Sequence, residues 1–151
     1  MKKISTRLIN FVIFALSLTY GNATLAKDEH VLLSINEALE SDAAKGKISD
    51  DVKLFWGDQA HAKPIKEMGN LNTNKKTNAF NKTEKIACEW AFISAIKSLQ
   101  EGARKNGSNA VVSIKSNYRN VEISSPTEYM CGSGNVISGV ALKGESVQLP
   151  N

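Results

Sequence analysis

Residues 83–115 run TEKIACEWAFISAIKSLQEGARKNGSNAVVSIK, which spells a helix, a stop and a strand in one stretch. At helical spacing Cys88, Phe92, Ala95, Ile96, Leu99 and Ala103 fall on one apolar arc about 100° wide. Ser94, Lys97, Ser98, Glu101 and Lys105 fall opposite. Thr83 suits the N-cap, and Glu84 places a negative charge where the helix dipole favours it. Asn106-Gly107 supplies the residue type that ends helices in a left-handed turn. Beyond it Ala110, Val112 and Ile114 alternate with Val111, Ser113 and Lys115, which is strand periodicity.

Working outward, the first 26 residues have the order of a secretory leader. Lys2, Lys3 and Arg7 precede an apolar stretch from Leu8 to Tyr20, and Thr24-Leu25-Ala26 puts small residues at −3 and −1 of a cut before Lys27. The stretch is too short for a retained span, and the residue after the cut is lysine, where a lipid-anchored lipoprotein has cysteine. The expectation is a chain released to the periplasm or outside, with no transmembrane segment after cleavage. The leader holds three of the 19 basic residues and none of the 15 acidic ones, so the chain's net charge of +4 falls to +1 without it. A balance so close to neutral gives no footing for nucleic-acid binding.

Residues 27–151 have the length of one domain. Residues 27–50 are expected to form an N-terminal arm, packed across Ile86 and Trp90 of the helix. Residues 52–57, VKLFWG, are β-prone, and DQAHAKP at 58–64 is a turn. Residues 65–73 form a weaker strand, and the Asn- and Lys-rich segment that follows suggests a polar loop leading into the helix. After the strand at 109–118, Pro126 marks a loop and Cys131–Gly134 a flexible link. Val136, Ser138, Val140 and Leu142 share one face of a last strand, and residues 144–151 are expected to fray. Strands, one long helix and further strands imply an α+β fold, with a mainly antiparallel sheet carrying the helix on one face.

The two cysteines, Cys88 and Cys131, both lie after the leader, and an even pair in an exported chain predicts a disulfide. A zinc site made from them with His30 and His61 lacks any short ligand spacing. No P-loop and no Gly-x-Ser-x-Gly elbow is present, which removes the usual grounds for nucleotide hydrolysis or serine chemistry, and no cofactor is implied. Asp58 and His61 share one turn and are the acid–base candidates for an alternative reading, a small enzyme acting on envelope material. The candidate partner-binding residues are Asn74, Lys75, Lys76 and Asn78, whose amides and ammonium groups suit an anion or a sugar. Phe55 and Trp56 are expected to pack in the core rather than to form a binding platform.

Phe55–Gln59 with His61, Thr73–Phe80, Cys88–Phe92 and Asn109–Val112 through Ser116–Tyr118 resemble a family of small exported bacterial proteins commonly labelled "excinuclease ATPase subunit". The residues argue against that label, because no Walker motif or zinc-finger cysteine set accompanies them. Over residues 68–143, the helix ending at Ser108–Val112, then Cys131, then Gly139–Leu142 resemble the RcsF-like envelope-stress sensor domains. That resemblance implies an envelope location, one retained disulfide and a sensing role. The sequence reading is thus a non-enzymatic binding or sensing module whose partner is an envelope protein or an anionic or sugar component.

Overall fold

The computed structural model describes residues 28–150, so the leader expected at 1–26 lies outside the described residues. The elements are β1 (Asp28–Ser34), α1 (Ile35–Glu40), β2 (Lys53–Trp56), β3 (Lys66–Asn78), α2 (Glu84–Lys105), β4 (Ala110–Tyr118), β5 (Val121–Ile123), β6 (Glu128–Gly134) and β7 (Ile137–Gln148). The fold is α+β, one strand-rich curled sheet carrying one long helix.

Strand β7 is the hub of that sheet. One of its edges pairs with β3 along the full length, from Asn78↔Ile137 to Lys66↔Gln148. Its other edge is divided: Gly139 meets Gly132 of β6, while Leu142 to Val147 meet Ser116 to Ala110 of β4. Strand β1 then adds antiparallel outside β6, and β5 forms a hairpin with β4. Strand β2 joins β4 in parallel, so the sheet is mixed and not antiparallel throughout.

Helix α2 behaves as its residue order predicts. Thr83 Oγ1 accepts from the Ile86 amide at 3.3 Å, and Gly107 takes a φ of +73° just past the end. Cys88, Phe92, Ala95, Ile96, Leu99 and Ala103 are all buried against the sheet. Phe92 is sandwiched, with Tyr129 stacked at 3.8 Å between ring centroids and Trp56 at 5.4 Å. Trp56 is therefore core, and Phe55 lies in a smaller cluster with Ala110, Val112, Val147 and Leu149. The disulfide between Cys88 and Cys131 is formed, with Cα atoms 5.9 Å apart, and it ties α2 to β6.

Several expectations need correction. The arm expected at 27–50 begins as a strand, since β1 pairs with β6 over seven residue pairs, and Cys131–Gly134 is ladder rather than flexible link. Ile86 and Trp90 remain 44% and 37% exposed, although the arm places the Lys47 ammonium 3.7 Å from the Trp90 ring centroid. The tail does not fray at 144: β7 continues to Gln148, and the Asn109 side chain both donates to the Leu149 carbonyl and accepts from its amide. Alternation also fails inside β4. A bulge at Ser113, with φ +52°, turns Ala110 and Val112 to the smaller cluster while Val111 and Ile114 both enter the main core.

Candidate functional site

The segment expected to be a polar loop is the far half of β3. Its pairing with β7 reaches Asn78, and the Ala79 amide extends it by donating to the Val136 carbonyl at 2.8 Å. Asparagine and lysine are poor strand formers, but an edge strand with one solvated face tolerates them, and lysine there discourages pairing with a further strand. Strand alternation then sorts the side chains. Leu71, Thr73, Lys75 and Thr77 are the more buried set, turned towards α2. Asn70, Asn72, Asn74, Lys76 and Asn78 are exposed and share the sheet face away from the helix.

That open face continues across the hub. Opposite Asn70, Asn72 and Asn74 stand Glu145, Lys143 and Ala141 of β7, and beyond them Lys115 and Asn117 of β4. The β4–β5 turn contributes Asn120; Arg119 and Asn120 have φ of +52° and +63°, the pair that a tight two-residue hairpin requires. Two adjoining clefts result. One of about 330 Å³ lies among Asn70, Asn72, Lys115, Lys143 and Glu145. The other, of about 540 Å³, has Asn72, Asn74, Asn117, Arg119 and Asn120 around a floor of Ala141.

The chemistry of this face is amide and cation. Each asparagine offers two donors and one acceptor, which matches hydroxyl groups that also donate and accept. Lys143 is held in place by an ion pair with Glu122, and that hydrogen bond keeps the Glu122 carboxyl below its ordinary range.

The sequence-predicted residues divide accordingly. Asn74, Lys76 and Asn78 belong to the open face, whereas Lys75 is turned to the helix side. Asp58 and His61 lie exposed in the turn after β2 but do not act on each other. The His61 Nδ1 donates to the Ala62 carbonyl at 2.8 Å, and its ring leans on Phe55 at 5.4 Å. His30 sits on β1 against Tyr118, and both cysteines are consumed by the disulfide. Among the described residues no three metal-binding side chains come together, and no helix is long and apolar enough to cross a membrane.

No protein-family model matches the chain, nor does any curated protein or solved structure. The geometry therefore stands by itself. Sequence reasoning missed Asn70, Asn72, Lys115, Asn117, Asn120 and Lys143. A signal was there for the first two: asparagines at 70, 72, 74 and 78 keep a period of two, which a loop has no reason to keep.

Proposed function

We propose that the chain is a non-enzymatic binding or sensing module of the bacterial envelope, exported behind the leader at 1–26. On this reading it takes an anionic sugar component of the envelope on the open face of β3, β7 and β4. The observation that carries the proposal is the row Asn70, Asn72, Asn74, Lys76 and Asn78 on one exposed strand face, opposite Lys143 and Lys115. Amides at a spacing of about 6.8 Å, two strand residues, would contact successive hydroxyls, and the lysines would meet carboxylate or phosphate groups. The disulfide is compatible with an oxidising compartment, and the resemblance to RcsF-like domains supports a sensing role.

Titration of the exported protein with acidic and with neutral oligosaccharides of equal length, followed by backbone amide chemical shifts, tests this reading. Shifts should concentrate at Asn72, Asn74 and Asn117 and favour the acidic ligand. Asn72→Ala and Lys76→Ala should weaken binding, while Lys75→Ala should not. Shifts absent from the open face, or a Lys75→Ala loss equal to that of Lys76→Ala, would sink it.

A further inference from the structure

Strand β3 is an edge of the sheet, with β7 its only strand partner among the described residues. The backbone groups that it turns outward between residues 70 and 77 are a template for a further strand. The edges of this sheet are not alike. Strands β2 and β5 have four and three residues, and β1 has seven. Strand β3 has thirteen, and its pairing with β7 runs without a break from Gly69 to Asn78. Its lysines, at 66, 75 and 76, lie towards the two ends and leave an uncharged middle at 70–74.

Two features select a second copy of the chain as that strand. Charge is the first. Glu67 and Lys76 are both exposed, and neither has an ion partner among the described residues. Across the bulge, Glu67 stands opposite Val147 while Asn70 stands opposite Glu145, so Glu67 shares the open face with Asn70 and Lys76. Laid antiparallel on its own copy about a twofold axis at Asn72, β3 puts Glu67 of each copy opposite Lys76 of the other. Lys66 and Lys75 then fall opposite Thr77 and Gly69, so no like charges meet. One strand further in, Glu145 and Lys143 of β7 carry one charge of each sign, and on α2 Lys97 pairs with Glu101. The second feature is the amide row. Asn70 faces Asn74 of the other copy and Asn72 faces itself, and an amide both donates and accepts, so each pair is self-complementary. Neighbouring registers fare worse. An axis at Leu71 sets Lys75 opposite Lys66, and an axis at Thr73 leaves Glu67 opposite Asn78 without its cation.

We infer that two copies join antiparallel through their β3 strands, about an axis at Asn72, into one sheet whose open face runs on from copy to copy. The lysines that keep other strands away admit this one. The inference does not depend on what the open face binds, and its test uses no oligosaccharide. Sedimentation of the protein recovered from cells expressing the full chain should give a dimer that dissociates on dilution. Glu67→Lys and Lys76→Glu should each raise the dissociation constant on the order of tenfold or more, since each sets like charges opposite at two symmetry-related places.

The variant carrying both substitutions should dimerise as the wild type does. So should an equal mixture of the two single variants, in which every reversed charge meets its opposite. Asn72→Cys, at the axis, should oxidise to a covalent dimer, whereas Lys66→Cys, opposite Thr77, should not. All of these positions are exposed, and a matching thermal melt confirms that each variant is folded. A wild type that stays monomeric at every soluble concentration overturns the inference. So does a dimer that the single charge reversals leave intact, or one that neither the double variant nor the mixture restores, because the contact then lies elsewhere.

Discussion

The ring of Tyr118 lies so close upon Gly132 that a Cβ built there would stand 2.0 Å from the ring carbon Cζ. Gly132 and Gly139 are direct partners between β6 and β7, and the ring covers both, with a Cβ on Gly139 coming within 3.2 Å of it. The His30 ring stands perpendicular to that of Tyr118, with the centroids 5.4 Å apart. The aromatic thus takes the place of the side chains that the glycine pair lacks, at the point where the hub passes from β4 to β6. Gly132→Ala should displace the ring and cost about 1–3 kcal/mol, as overpacking does. In Gly132→Ala combined with Tyr118→Ala the clash should vanish, so the two effects should be clearly non-additive in chemical denaturation. Additive losses would mean that the contact carries no energy.

Cys88 and Cys131 enclose a sequence separation of 43 residues, and both are fully buried. Loop entropy assigns the bridge about 4 kcal/mol, a large share of the 5–15 kcal/mol typical of a domain. Cys131→Ser should lower the melting temperature markedly, and adding Cys88→Ser should change it little further. Thiol titration of the native protein should find no free thiol, folded or unfolded, until a reductant breaks the bridge. Two thiols titrating in the native state would contradict the pairing.

Glu89 sits almost buried on α2, with the Lys85 ammonium no nearer than 4.0 Å. Burial pushes its carboxyl above the ordinary value of 4.5, and the Lys85 charge only partly offsets this. The native state therefore holds that proton more tightly than the unfolded chain. The group's contribution is fully present below pH 4.5 and is lost as pH rises through the raised value. Glu89→Gln should be more stable than the wild type at neutral pH and lose that advantage in acid. Asp51 has the opposite sign. Its hydrogen bonds from Arg104 hold the carboxyl well below 3.8, so the stability it gives is present at neutral pH and lost as pH falls. Denaturation midpoints of the two variants, Glu89→Gln and Asp51→Asn, across the acid range would separate these signs.

Gln100 is a polar side chain only 1% exposed, and its position follows from the loop it holds. Its Nε2 donates to the carbonyls of Ser49 at 2.7 Å and Val52 at 3.0 Å, which fixes the entry into β2. Gln100→Ala leaves those carbonyls without a donor and should cost about 1–3 kcal/mol. Amide exchange should quicken across residues 47–53 before it quickens in β4 or β7. Unchanged protection there would show that water replaces the side chain at no cost.

The amphipathic helix was legible because its signals are local: apolar side chains at a period of 3.6, a capping threonine and a stop glycine within one short stretch. The disulfide was expected from an even count of cysteines behind the expected leader, β2 from its β-prone residues, and the core face of β7 from alternation. What the residues did not disclose depends on partners distant in the chain. Asn74–Asn78 has loop composition, and becomes strand because β7 supplies twelve paired positions along its length. Only that pairing decides that Lys76 faces the open sheet and Lys75 the helix, since a strand sends neighbouring side chains to opposite faces and a loop need not. The bulge at Ser113, which shifts the β4 alternation by one, and the bonding of Leu149 by Asn109 likewise arise from contacts that no local pattern encodes. Local periodicity is written in consecutive residues, whereas register between strands is settled by the packing of the whole sheet beneath α2.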